Sequence, residues 1–317
     1  MLDLVIIGAG PTGINCAITA GKAGLDYLVI EKGLLVNSIF HFPANMTFFS
    51  TSLKLEIGDI PFISHNDKPT RREALEYYRR LLETYKVKVS FREMVLGAEK
   101  SNGIFTIKTD KGTYEAKNII VATGFYDLPN KMNIPGEELP KVKHYYDEVH
   151  HYIKQDVLVV GGANSACDVA LECWQKGARV TMAVRGPALY QNVKYWILPN
   201  IQNRIKEGSI KAYFNTEVKE IKQNDVTLQT TEGEVTVAND YVLAMTGYRP
   251  DYTLLKSLGV TTADDEYKTP IYNAETLESE VEGLYLAGVI NGGLKTNKFF
   301  IENTREHAAT IVNHILS

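Results

Sequence analysis

A short apolar run followed by a glycine turn occurs twice in this chain, and this repeat constrains the fold more than any other feature. The two runs are residues 4–7 and 157–160, and a second apolar run follows each of them, at residues 27–30 and 179–184. The glycines of the two turns are Gly8, Gly10 and Gly13 in the first copy and Gly161 and Gly162 in the second. Each copy therefore predicts a strand–helix–strand unit with parallel strands.

The length and composition allow these two units to form separate domains. The chain has 317 residues, of which 44% are hydrophobic, so each domain can bury a core of ordinary size. Apolar strands that end in small residues, 118–124 and 241–247, are expected to close the two sheets. We predict an α/β fold with two Rossmann-like lobes, in which residues 127–248 are inserted into a discontinuous domain of residues 1–126 and 249–317.

Two helices are predicted outside the repeats. Residues 71–85 have helical periodicity, and Thr70 and Glu73 form a capping box at their start. The apolar face of this helix consists of Ala74, Leu75, Tyr78, Leu81, Leu82 and Tyr85. A final helix is expected over about residues 299–316, because apolar side chains recur there at helical spacing.

The first glycine turn has the spacing of a dinucleotide-binding loop, in which the glycines permit a tight turn and close approach to a pyrophosphate. Glu31 ends the next strand, where a carboxylate can bind the ribose hydroxyls and would repel a 2′-phosphate. This domain is predicted to bind FAD or NAD, and the alternative is an ordinary turn with a surface glutamate. The candidate FAD-binding residues are Gly8, Gly10, Pro11, Thr12, Gly13, Glu31, Lys32, Val95, Thr123, Gly124, Gly288 and Lys298.

The second glycine turn is degenerate, with Ala163 at the middle position and Ala166 at the last. The strand that follows ends at Arg185, whose guanidinium can bind a 2′-phosphate through two parallel hydrogen bonds. This domain is predicted to prefer NADPH, and the alternative is that Arg185 is a plain surface residue. The candidate NADPH-binding residues are Gly161, Gly162, Ala163, Asn164, Ser165, Arg185 and Lys194.

Two dinucleotide domains with opposite charges at their strand ends indicate an electron-transfer pair. NADPH and FAD form such a pair, because the flavin accepts hydride. The start of the final helix, near Lys298, is expected to direct its positive dipole end at the flavin, whereas His307 is expected to be structural.

The charge and cysteine content limit the other possibilities. A net charge of −4 provides no basic surface for nucleic acid or an anionic membrane. The three cysteines form no Cys-x-x-Cys pair, and the apolar start of the chain is short and leads into a glycine turn. We expect a soluble, cytoplasmic protein with no nucleic-acid or membrane partner. His144, His150 and His151 have no good metal-ligand arrangement with acids or cysteines, so no metal site is predicted.

Several strings across the whole chain resemble the low-molecular-weight thioredoxin-reductase-like flavoproteins. They are Gly8-Ala9-Gly10-Pro11-Thr12-Gly13, Val121-Ala122-Thr123-Gly124, Gly161-Gly162-Ala163-Asn164-Ser165-Ala166, Thr246-Gly247-Tyr248-Arg249-Pro250-Asp251 and Leu286-Ala287-Gly288. A closer similarity to the bacillithiol disulfide reductase family is carried by Phe48-Phe49-Ser50 with Lys54-Leu55-x-Ile57-Gly58-Asp59, Trp196-Ile197-Leu198-Pro199-Asn200, Ala287-Gly288-Val289-Ile290 and Phe300-Ile301-Glu302-Asn303. The resemblance implies FAD, NADPH, a small-molecule disulfide or small redox protein as acceptor, and a homodimer.

The chain lacks cysteines at two positions where related flavoproteins carry them. The helix after the second turn reads Ala166-Cys167-Asp168-Val169, without the dithiol of thioredoxin reductases, and Thr12 stands where the bacillithiol group carries a cysteine. Cys16 is the candidate catalytic thiol, because it lies one helical turn after Thr12 and a helix N-terminus lowers a thiol pKa. The alternative is that Cys16 packs as a small hydrophobic residue, as is expected for Cys167 and Cys173.

The leading prediction is NADPH-dependent reduction of a low-molecular-weight thiol disulfide. Three alternatives remain open at this point. A ferredoxin or flavodoxin NADP reductase needs no active-site cysteine. A flavin monooxygenase would show a stable C4a-hydroperoxide spectrum on reoxidation, and a flavin-binding redox sensor would turn over slowly with every acceptor.

Overall fold

The computed structural model describes residues 1–317, and the chain divides into two compact units. The first unit consists of Met1–His41, Asn45–Leu128 and Tyr248–Ser317, and the second consists of Phe42–Ala44 and Pro129–Gly247. No helix is both long enough and apolar enough to cross a lipid bilayer.

The strands are β1 (Leu2–Ile7), β2 (Tyr27–Glu31), β3 (Val89–Phe91), β4 (Val95–Ser101), β5 (Ile104–Thr109), β6 (Thr113–Val121), β7 (Leu128–Pro129), β8 (Val142–Lys143), β9 (Asp156–Val160), β10 (Arg179–Val184), β11 (Lys211–Phe214), β12 (Glu217–Ile221), β13 (Asp225–Thr230), β14 (Gly233–Ala238), β15 (Tyr241–Ala244), β16 (Tyr248–Arg249) and β17 (Leu284–Leu286). The α-helices are α1 (Pro11–Lys22), α2 (Asn37–Phe40), α3 (Ser52–Leu55), α4 (Arg71–Thr84), α5 (Asn164–Gln175), α6 (Leu198–Lys206), α7 (Thr253–Ser257) and α8 (His307–Leu316). Three short 3₁₀ helices cover Val149–Tyr152, Gly288–Gly292 and Ile301–Asn303.

The first unit is built on a parallel sheet whose strands end at one level. Strands β3, β2, β1 and β6 are neighbours in that order, and β17 pairs with the second half of β6. Ile7 is level with Ile30 and with Val121, and Val121 is level with Leu286. The residues that follow these four therefore meet at the carboxyl edge of the sheet, where ligands bind in open α/β sheets.

The first half of β6 pairs instead with an antiparallel extension made of β5 and β4. Turns around Gly103 and Gly112 connect these strands. Apolar side chains of β1, β5, β6 and β17 pack with Leu255 and Leu258 at the end of α7 to form the core on this side of the sheet.

The second unit has a five-stranded parallel sheet, in the order β11, β10, β9, β15 and β8. Alternate residues of β9 point to opposite faces, as a strand requires. Val157 and Val159 pack against buried residues of α5, whereas Leu158 packs against an antiparallel sheet of β12, β13 and β14. Both faces are covered, which explains the nearly continuous apolar sequence of β9.

The helix α4 confirms the predicted capping box. The Thr70 hydroxyl accepts a hydrogen bond from the Glu73 N–H at 3.3 Å, and the Glu73 carboxylate accepts one from the Thr70 N–H at 2.7 Å. Tyr77, which the predicted apolar face omitted, is buried and stacks on Phe62 with ring centroids 4.3 Å apart.

The predicted start of the final helix is wrong. The helix begins at His307 rather than near residue 299, because Phe300 is extended and its N–H donates to the Asn303 side-chain oxygen at 2.6 Å. That bond stabilises a single 3₁₀ turn, since asparagine side chains compete with helical hydrogen bonds. Lys298 consequently lies in a turn that precedes the helix, with its N–H bonded to the Lys295 carbonyl at 3.1 Å.

The boundaries of the predicted domains need one correction. Residues 42–44 fall within the predicted first domain, but they belong to the second unit. The Ala44 N–H donates to the Asp147 carbonyl at 2.8 Å, which fastens this segment there. The nucleotide that each unit binds remains a prediction.

Replacing Thr70 with alanine should lower the free energy of unfolding by about 1 kcal/mol, because the first turn of α4 loses its cap. Urea unfolding followed by circular dichroism measures this change. Thr84→Ala is the matched control, since Thr84 is exposed at the other end of α4. Equal losses in the two variants would contradict the role of the cap.

Candidate functional site

The first glycine turn leaves no room for side chains at Gly8 or Gly13. A Cβ on Gly13 would lie 1.9 Å from the Gly8 carbonyl oxygen, and one on Gly8 would lie 2.6 Å from the Ala122 carbonyl oxygen. Gly8 also has a φ of 108°, which disfavours any other residue. These two glycines hold α1 against the carboxyl ends of β1 and β6.

Gly10 differs from its neighbours, because a Cβ there would meet no atom within 4 Å. It is the N-cap of α1, and no side chain caps that helix. The first N–H groups of a helix lack intrahelical acceptors, and the helix dipole adds positive charge at the same point. Open space in front of uncapped N–H groups fits the pyrophosphate of a dinucleotide.

The Glu31 carboxylate lies beside this turn and is fixed by two backbone hydrogen bonds. One oxygen accepts from the Ala9 N–H at 2.7 Å, and the other accepts from the Gly33 N–H at 2.7 Å. Burial raises the pKa of Glu31, and the two N–H donors oppose that shift. A carboxylate has about four acceptor positions. Glu31 therefore retains acceptor capacity for a ribose diol.

The remaining FAD candidates fall into different environments. Lys32 forms an ion pair with Asp127, with 2.8 Å between Nζ and the carboxylate. Val95 is buried with the apolar core, so only its backbone could face a nucleotide. Thr123 and Gly124 lie two and three residues after the end of β6 at the carboxyl edge, whereas the side chain of Lys298 is exposed.

A second glycine turn of the first unit, at Gly288, lies against the first. A Cβ on Gly288 would be 2.9 Å from the Thr12 hydroxyl oxygen. The Thr12 hydroxyl is 3.2 Å from that of Thr304, and the Gly288 N–H donates to Nδ1 of His307 at 3.1 Å. The sequence gives no local signal for this cluster, because Thr12 and Thr304 are 292 positions apart.

The glycine turn of the second unit repeats the packing with different contacts. A Cβ on Gly161 would be 2.7 Å from the Met245 carbonyl oxygen, and one on Gly162 would be 2.7 Å from Val184. Ala163 is the N-cap of α5, again without a side-chain cap. The uncapped start of α5 therefore fits phosphate groups in the same way as that of α1.

The two cationic side chains near this turn, Arg185 and Lys194, differ in burial and in pairing. Arg185 directly follows β10 and is exposed, as is Ser165 on the first turn of α5. Lys194 is buried, and its Nζ lies 2.6 Å from the Asp168 carboxylate, while its N–H donates to the Asn164 side chain at 2.8 Å. Asp168 offsets much of the Lys194 charge, so Arg185 is the stronger candidate for a 2′-phosphate.

The structure does not support a thiolate at Cys16. Its side chain has 0% exposure, and burial raises the pKa of Cys16 to about 12. Desolvation outweighs the helix dipole here, because the thiol lies one turn inside α1. Cys167 and Cys173 are also free and buried, with their pKa values raised to about 12, which confirms them as packing residues.

Comparison with known proteins assigns the family. A profile of pyridine nucleotide-disulphide oxidoreductases matches residues 5–288. The chain belongs to this family. It is 47% identical over 313 residues to the bacilliredoxin reductase Bdr of Bacillus subtilis (strain 168), covering 98% of this chain and 96% of that one. The protein is therefore an oxidoreductase.

Solved structures agree with this assignment. The bacillithiol disulfide reductase Bdr from Staphylococcus aureus superimposes with a TM-score of 0.96 at 44% identity, covering 99% of this chain and 98% of that one. Thioredoxin reductase from Lactococcus lactis has a TM-score of 0.79 at 22% identity, covering 100% of this chain and 98% of that one. The predicted thioredoxin-reductase-like fold and the resemblance to bacillithiol disulfide reductases are confirmed.

Two glycine-to-alanine variants should separate binding from folding. Gly10→Ala places its methyl group in open space, so the protein should fold normally but bind FAD at least about tenfold more weakly, since the backbone can no longer approach the pyrophosphate closely. Gly13→Ala should reduce the free energy of unfolding by more than about 2 kcal/mol, because its methyl group collides with the Gly8 carbonyl. Flavin fluorescence titration and urea unfolding measure the two effects, and unaltered FAD affinity in Gly10→Ala would argue against this site.

Proposed function

We propose that the protein is an NADPH-dependent FAD flavoprotein that reduces a low-molecular-weight thiol disulfide such as bacillithiol disulfide. The observation that carries this proposal is the full-length similarity, at 44% and 47% identity, to proteins named for the reduction of bacillithiol disulfide or bacilliredoxin. This similarity favours disulfide reduction over the ferredoxin reductase, monooxygenase and sensor alternatives.

The proposed placement of the two nucleotides follows from charge. Glu31 disfavours a 2′-phosphate in the first unit, so this unit binds FAD, with the pyrophosphate at the start of α1. Arg185 is exposed beside the second turn and pairs with the 2′-phosphate of NADPH. Two unit charges about 4 Å apart near a protein surface interact by about 4 kcal/mol, enough to select between the two nucleotides.

In the proposed reaction, NADPH, one proton and a disulfide give NADP⁺ and two thiols. FAD bound in the first unit would supply the two-electron chemistry between NADPH and the disulfide. The residues of the chain bind and orient the reactants. Gly8 and Gly13 position α1, and Glu31 holds the ribose. The turn at Gly288 packs against Thr12. The buried Cys16 takes no part, because it is neither exposed nor ionised at neutral pH.

A second acceptor is suggested by the name of the Bacillus subtilis relative, which is a bacilliredoxin reductase. An oxidised bacilliredoxin presents a protein-bound disulfide, and its reduction needs the same two electrons. We also propose that the protein works in the cytoplasm as a homodimer, as its resemblance to the family implies.

Replacing Arg185 with alanine should raise KM for NADPH by about ten- to a hundredfold and leave KM for NADH nearly unchanged, because only NADPH loses charged hydrogen bonds. Steady-state kinetics with each nucleotide measure the ratio. Lys194→Ala is the comparison variant, and its effect on KM for NADPH should be smaller because Asp168 already pairs with Lys194. A preference for NADPH that survives in Arg185→Ala would contradict the assignment.

The acceptor can be identified by stopped-flow reoxidation of the NADPH-reduced protein. We expect the fastest reoxidation with bacillithiol disulfide or oxidised bacilliredoxin, and slower reoxidation with ferredoxin and oxygen. Cys16→Ala should retain the rate with disulfides to within about twofold, because a thiol with a pKa near 12 is hardly ionised at neutral pH. Reoxidation that is fastest with ferredoxin would reject the proposed function, and a large loss in Cys16→Ala would restore the thiol to the mechanism.

A further inference from the structure

The imidazole of His307 is bonded to the backbone of the turn that follows β17. The Gly288 N–H donates to Nδ1 of His307 at 3.1 Å. Gly288 has a φ of 87° and would collide with the Thr12 hydroxyl if it carried a side chain. Its conformation and its N–H direction are therefore both tightly constrained, and His307 provides the acceptor.

The direction of this bond fixes the protonation state of the ring. A backbone N–H can only donate, so Nδ1 must be unprotonated and the neutral ring must carry its proton on Nε2. An imidazolium has no acceptor nitrogen and cannot make the bond. The bond to Gly288 therefore exists only while His307 is neutral.

The surroundings of His307 favour the neutral ring. His307 is the first residue of α8, where the helix dipole disfavours a positive charge. Burial lowers its pKa to about 4, and no carboxylate contributes to that shift. The ring of Phe299 packs edge-on with its centroid 5.7 Å away.

Burial alone accounts for the lowered pKa of His307, and no charged group contributes to it. Lys295 and Lys298 in the preceding loop and Glu302 in the 3₁₀ turn precede it in the chain, and none of them contributes to the shift of its pKa. On α1, which packs against α8, the titratable groups are the buried Cys16 and the distant Lys22, whose partner is Asp59. The adjoining chain contributes Arg305, which bonds backbone carbonyls, and Glu306, which is exposed, and the other histidine of α8, His314, bonds Tyr285.

We propose that His307 is a positioning residue of the flavin site, whose Nδ1 fixes the Gly288 turn against Thr12 and α1. This inference rests on the proposed binding of FAD to the first unit. The two glycine turns of that unit are linked to the start of α8 by a cluster of four residues, which are Thr12, Gly288, Thr304 and His307. His307 is the titratable residue of this cluster. Losing the acceptor frees the Gly288 N–H and loosens the surface on which the cofactor rests.

The sign of the pH dependence follows from the lowered pKa. In the folded protein the ring is neutral and the bond intact above about pH 4, and the bond is lost as the pH falls through about 4, where His307 takes up a proton. The amide signal of Gly288 should therefore follow the titration of the His307 ring. Glycine-selective ¹⁵N labelling of the full-length protein, with His307→Asn to assign the signal, observes this with or without FAD.

Substitutions test the acceptor itself. His307→Leu removes the acceptor and should raise the Kd for FAD about tenfold, the order expected for a buried donor left unsatisfied. His307→Asn places an amide oxygen near the position of Nδ1 and should restore the affinity to within about threefold of the unchanged protein, since an amide oxygen is an equivalent acceptor. His314→Leu is the matched control on the same helix, and its Kd for FAD should match that of the unchanged protein.

Each outcome distinguishes the inference from the proposed function. If the unchanged protein binds no FAD, the proposed function fails and this inference fails with it. If it binds FAD but His307→Leu binds equally well, or His307→Asn is as impaired as His307→Leu, only the positioning role is overturned. A Gly288 amide signal that ignores the His307 titration would also overturn it.

Discussion

Helix α1 lies so close to strand β1 that a Cβ on Gly13 would be 1.9 Å from the Gly8 carbonyl oxygen. The rest of the first unit is arranged around this approach. The helix start reaches the carboxyl edge of the sheet, where β2 delivers Glu31 and β17 delivers Gly288. The strand register makes these positions level, so three separate stretches of sequence contribute to one surface. A side chain at residue 13 would displace the helix from all of them.

The second unit reaches a similar surface through a different sequence. Its turn lacks the middle and last glycines, yet Gly161 still approaches the Met245 carbonyl closely, and α5 still begins without a side-chain cap. The two units differ in the side chain that ends their second strand. Glu31 is buried and held by two N–H groups, whereas Arg185 is exposed to solvent. Similar backbone surfaces thus carry opposite charges, and this difference lies in side chains rather than in the fold.

Local patterns in the sequence were sufficient for the features that local interactions determine. The capping box of α4 and both glycine turns depend on residues a few positions apart, so spacing alone indicates them. Features that depend on tertiary contacts could not be read in this way. The burial of Cys16 overrides the helix dipole that spacing suggests. The contacts among Thr12, Gly288 and His307 join distant parts of the chain.

The start of the final helix shows an intermediate case. The apolar spacing before His307 resembles a helix, but the Asn303 side chain bonds the Phe300 N–H and replaces the helical pattern with a 3₁₀ turn. Asparagine in that stretch is a sequence signal, because it often competes for backbone donors. The effect of the asparagine depends on which backbone N–H group its side chain bonds, and the spacing of apolar residues does not reveal that partner.

The two backbone hydrogen bonds of Glu31 also bear on how this site would receive a nucleotide. Both carboxylate oxygens already have donors from the chain, so this side chain is ordered before any ribose arrives. A freely rotating glutamate side chain would lose about 1 kcal/mol or more of rotamer entropy on binding. Glu31 has already lost most of that entropy on folding. Folding alone therefore places the Glu31 carboxylate against the Ala9 and Gly33 N–H groups. The position of this carboxylate is set by contacts within the chain and needs no bound ligand as a template.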